Sequence, residues 1–111
     1  MAYNEQLASR IRDRVAGTDG LSEQKMFGGL AFLVGGNMAV AASGQGGLLV
    51  RVDPDHSAEL VASTPATPME MRGREMAGWL RVQDVDVAAD ADLVAWVERG
   101  LAYASSLPAK R

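Results

Sequence analysis

A chain of 111 residues, 48% hydrophobic and 23% charged, is long enough for one buried core and too apolar to remain unfolded. With no cysteine it lacks a disulfide framework, a thiolate zinc site and a cysteine nucleophile. A net charge of -3 with no compensating basic patch disfavours direct, unaided nucleic-acid binding, which needs cations to neutralise phosphates.

Aromatic residues are only 5%, so the core must be built mainly from Ala, Val, Leu and Met. Each of these buries less area than a ring, and a thin core of this kind gains from a partner. The stretch from Met1 to Arg14 is polar and helical in pattern, unlike the apolar core of a signal peptide. No apolar run reaches the ~18 residues of a membrane span. A cytoplasmic location is the expectation.

Leu7, Ile11 and Val15 recur every four residues, predicting an amphipathic helix from about Asn4 to Ala16 with Asn4 as N-cap. Two short apolar runs, Leu30 to Val34 and Met38 to Ser43, flank a Gly35-Gly36-Asn37 turn. A second glycine-rich turn, Gly44 to Gly47, leads into Leu48 to Val52, which completes a three-strand meander. Asp53-Pro54 predicts the start of a helix running to about Ser63. The two prolines of Thr64 to Pro68 predict a loop, and Met69 to Arg72 and Met76 to Val82 a second hairpin turning at Gly73-Arg74. A last helix spans Asp90 to Ser106, with Leu93, Trp96, Val97, Leu101 and Ala104 on its buried stripe. Residues 107–111 are expected to fray. The expected architecture is a single two-layer α+β domain over residues 1–111, with three helices and a five-stranded antiparallel sheet in the order α-βββ-α-ββ-α.

Because side chains alternate along a strand, the sheet has two faces. Leu30, Phe32, Val34, Met38 and Val40 share one with Leu48, Val50, Val52, Leu80 and Val82, and three helices suffice to cover it. Ala31, Leu33, Ala39, Ala41, Leu49 and Trp79 fall on the other, diluted by Arg51, Glu70, Arg72 and Arg81. That second face is either roofed by loops or a helix, or left as an interaction face for a homodimer or another protein.

The glycines of Met26 to Met38 lead into strands rather than helices, and no lysine lies between Lys25 and Lys110. Neither a dinucleotide fingerprint nor a phosphate loop fits that pattern. Lys25-Met26-Phe27-Gly28-Gly29, followed by an apolar strand, a glycine turn and Asn37-Met38, instead resembles the hallmark of the N-terminal domain of the TfoX/Sxy competence regulators. The likeness extends to the leading helix, to Leu-Val-Arg-Val at Leu49 to Val52, and to a closing helix with Trp96, Leu101 and Ala104. It covers nearly the whole chain. The resemblance implies an α+β fold with an antiparallel sheet and a regulatory role. Full regulators add a C-terminal helical domain, so the chain reads as a stand-alone N-terminal domain.

The remaining polar groups form no catalytic constellation. His56, the single histidine, lies near Asp53, Asp55 and Glu59, but Asp53 and Asp55 already serve a helix start, and a metal site needs three or four converging ligands. Ser43, Ser105 and Ser106 sit at a turn and a helix end, with only His56 as a conceivable base. Asp84, Asp86, Asp90 and Asp92 show no sign of the burial that a general acid needs. Arg10 and Arg14 stack one helical turn apart, and Arg72 and Arg74 flank a hairpin, where each pair suits a solvated face or an anion clamp. Met69 and Met71 suit either a core or an adaptable binding surface. No catalytic residue, cofactor or metal is expected, and the favoured role is a non-enzymatic regulatory or protein-interaction module, homodimeric, with no direct nucleic-acid contact. Two alternatives stand beside it: a small-ligand or anion-binding protein or minor enzyme using a groove near Trp79, Arg51 and Arg81, and a transcription accessory acting through a DNA-bound partner.

Overall fold

The computed structural model describes residues 3–26 and 28–109. Helix α1 (Glu5–Val15) begins as its cap dictates: Asn4 Oδ1 accepts from the backbone N–H of Leu7 at 3.1 Å, satisfying a free donor of the first turn. Four strands follow, β1 (Leu21–Met26), β2 (Gly29–Val34), β3 (Asn37–Ala42) and β4 (Leu48–Arg51). A 3-10 turn at Pro54–His56 runs into α2 (Ser57–Ser63). The hairpin β5 (Thr67–Met71) and β6 (Arg74–Val82) comes next, then a second 3-10 turn at Asp84–Val87 and α3 (Asp90–Ser106). Among the described residues no helix is long and apolar enough to cross a membrane.

Among the described residues, six strands form one antiparallel sheet in the order β1-β2-β3-β4-β6-β5. The expectation of five strands is therefore corrected: β1 precedes the meander, giving α-ββββ-α-ββ-α. Ser22, Glu23, Gln24 and Lys25 are all exposed, so β1 has no apolar alternation to betray it. Main-chain pairing with β2 holds it, in register from Leu21↔Val34 to Met26↔Gly29. One side-chain tie reinforces the edge. Arg12 grips the Glu23 carboxylate with Nε at 2.7 Å and Nη2 at 3.0 Å, and this hydrogen-bonded pairing holds the Glu23 carboxyl below the ordinary carboxylate range. At the opposite edge, β5 takes in Thr67 and Pro68 from the expected loop, with Pro68 paired to Leu80. A sheet edge is where proline's missing donor is tolerated.

Leu7, Ile11 and Val15 of α1, Leu60 and Val61 of α2, and Leu93, Trp96 and Val97 of α3 all pack with Leu30, Phe32, Val40, Leu48, Val50, Leu80 and Val82. The helices thus form one layer on one face of the sheet. The α3 backbone approaches β3 closely at Gly100, where an added Cβ would sit 2.5 Å from the Ala39 carbonyl oxygen and 2.8 Å from Val40 Cγ1. Helix propensity alone favours Gly100→Ala by about 1 kcal/mol. Overpacking against a backbone carbonyl opposes it by about 2–3 kcal/mol. Gly100→Ala is therefore expected to lower stability by about 1–2 kcal/mol in urea unfolding. A stabilised variant would show that α3 sits further from β3.

The strict alternation expected along β3 fails at one residue. Phe32 pairs with Val40 and Leu33 with Met38, which leaves Ala39 as an extra residue, a β-bulge. Ala39 consequently joins Val34, Ala104 and Leu101 on the helix side, and Met38 joins Ala31, Leu33 and Ala41 on the other. The assignment of Ala39 to the second face, and of Met38 to the first, is corrected by that insertion. Beyond α3, Asn37, 3% exposed in the β2–β3 hairpin, donates from Nδ2 to the Pro108 carbonyl at 2.9 Å. That tie reaches into the segment read as a frayed tail, of which residues 110 and 111 lie outside the described part.

Candidate functional site

Among the described residues no helix contributes to the second hydrophobic cluster, in which Ala31, Leu33, Met38 and Ala41 pack with Met26, Leu49 and Trp79. Strand register explains its shape. One row across the sheet reads Gln24, Ala31, Ala41, Leu49, Arg81 and Thr67. Two alanines in the middle of that row make a depression between longer side chains. Ala31 and Ala41 are buried at 1% and 6% exposure, while Met26, Leu49 and Met69 remain half-buried around them. The result is a groove of about 310 Å³ with an alanine floor and a methionine-rich rim, rather than a flat apolar patch.

One end of the groove is polar. Arg81, on the same row as the alanines, donates from Nη1 to Ser43 Oγ at 3.1 Å. Ser43 itself is buried, and its Oγ also accepts from the Gln45 backbone N–H at 3.1 Å. Glu70 and Arg72 line the groove from the β5–β6 hairpin, and Met26 lines it from β1, so the curled sheet brings both of its edge strands to one site. Arg72 holds a φ of +56°, the only non-glycine in the left-handed region among the described residues.

The hallmark motif borders this groove. Lys25 is exposed on β1, Met26 and Gly29 line the groove, Gly28 sits in the turn between β1 and β2 at a φ of +78°, and Phe27 lies outside the described residues. A profile of the TfoX N-terminal domain matches residues 13–104, from within α1 to Ala104 of α3, and so spans the entire sheet. The chain belongs to the TfoX N-terminal domain family. No curated protein matches it. In this TfoX N-terminal domain the described hallmark residues thus span the end of β1, the turn and the start of β2, where Gly29 lies close against the Ala42 carbonyl and the Gly44 nitrogen.

Other expected groups fall elsewhere. The Arg51 guanidinium lies over the Trp79 ring at 5.0 Å from its centroid and 5.7 Å from that of Tyr103. Such stacking fixes its position by cation–π attraction, away from the groove that Arg81 lines. Asp53 accepts from the Asp55 backbone N–H at 2.9 Å, a helix-start role. His56 and Glu59 edge a wide cleft of about 490 Å³ facing Arg99 and Tyr103 of α3, yet among the described residues no three His, Cys, Asp or Glu side chains converge on a metal-sized point. Arg10, read as half of an anion clamp, is engaged with Asp90 Oδ1 at 2.9 Å and the Ala88 carbonyl at 3.1 Å. Met26, Met38 and Ser43 line the groove although they stood outside the expected interaction face, whereas Met69 takes the binding-surface alternative weighed for it. Met38 carried a usable signal only if the Ala39 bulge had been anticipated.

Proposed function

We propose that this TfoX N-terminal domain is a non-enzymatic regulatory module that acts through protein contact, and that two copies meet on the helix-free face. The supporting observation is the half-buried rim of Met26, Leu49 and Met69 around a floor of alanines, with Trp79 packed against the same helix-free cluster. Methionine side chains bend to fit a partner, and Trp79 supplies the large, rigid contact on which interfaces depend. A thin, aromatic-poor core gains from covering such a face.

Sedimentation of the full chain is expected to give a dimer, and Trp79→Asp or Leu49→Asp to weaken association by about a hundredfold while circular dichroism stays unchanged. A wild-type monomer at every concentration tested would reject the pairing.

A further inference from the structure

We propose that the groove on the helix-free face is a binding site for a small amphipathic monocarboxylate, an aliphatic chain carrying one carboxylate head. Its floor of Ala31 and Ala41 and its walls of Met26, Met38, Leu49 and Met69 present carbon and thioether surface suited to an unbranched chain. At about 310 Å³ it lies at the small end of ligand sites.

The head group follows from the polar end. Arg81 is oriented by its bond to Ser43 Oγ, which uses one guanidinium donor of five. Among the described residues the ion pairs are Arg10–Asp90 and Arg12–Glu23, so Arg81 has no carboxylate partner and its other donors remain for a ligand. Arg72 lines the same groove from the hairpin tip, where a left-handed backbone that favours glycine carries an arginine. Glu70 lines it too. Two guanidiniums against one carboxylate leave a single positive charge, which matches a monoanion and disfavours a phosphate dianion.

The ligand reading stands on the groove alone and does not require pairing. Its test uses the full chain with methyl-labelled methionine, followed by NMR with octanoate, octanol and octylamine as probes. Octanoate is expected to move the methyl signals of Met26, Met38 and Met69 and to leave Met76, which does not line the groove, in place. Octanol should bind about tenfold more weakly and octylamine more weakly still. Arg81→Gln should cost octanoate about tenfold in affinity and leave octanol unaffected. No movement at millimolar octanoate, or equal affinities for octanoate and octanol, would overturn the proposal, as would an Arg81→Gln variant of unchanged octanoate affinity. If Arg81→Gln fails to fold, Arg72→Gln and the wild-type comparison of the three probes decide the matter. A monomer that binds octanoate keeps this site and loses the pairing; a dimer indifferent to octanoate does the reverse.

Discussion

Phe32→Ala is expected to cost about 3–5 kcal/mol, the loss typical of deleting a fully buried ring. Phe32 is 0% exposed, faces the helix layer from the middle of β2, and is among the largest fully buried side chains of the core. With aromatics at 5% of the sequence, its neighbours are mainly short aliphatic groups that cannot swing across the space it leaves. A domain of this size holds about 5–15 kcal/mol in total, so the variant sits near the edge of folding. Urea unfolding with an unchanged slope and a much lower midpoint is the expected record. A loss below about 1 kcal/mol would mean that the two layers close over the cavity and that the neighbours of Phe32 are not rigidly packed.

Gly29→Ala is expected to cost about 2–3 kcal/mol, although it adds one carbon to a residue of ordinary negative φ. The new Cβ would lie 2.4 Å from the Ala42 carbonyl oxygen and 2.9 Å from the Gly44 nitrogen. Both are main-chain atoms, so no rotamer change relieves the clash and β2 must move away from the β3–β4 turn. Gly28 provides the contrast: it is exposed with a φ of +78°, where a side chain strains the backbone and Asn does so least, so Gly28→Asn should cost only about 1 kcal/mol. The thermal midpoints of the two variants separate the roles of the paired glycines. Equal losses would show that the hallmark serves turn geometry alone.

Elements whose side chains meet the core were legible from the chain. The Leu7, Ile11 and Val15 stripe and the Asn4 cap placed α1, and the Asp90 to Ser106 helix appears with those bounds. Strand β1 was invisible because its stability resides in peptide groups, which every residue has, while Ser22 to Lys25 face water on both sides. The groove was half legible. Ala31, Leu33, Ala41, Leu49 and Trp79 were assigned to the correct face by period two, but a single inserted residue at Ala39 exchanged the sides of Ala39 and Met38. Sheet curl, which carries Met69 and Arg72 toward Met26, depends on all six strands together and leaves no local mark.

The Asn37 amide and the Pro108 carbonyl stand at opposite ends of a 71-residue separation. A hairpin can form by itself, but this latch closes only once the intervening chain has been gathered up and α3 has settled on the sheet. Asn37 is therefore a sentinel for the finished molecule, silent in any fragment that has merely acquired its local turns.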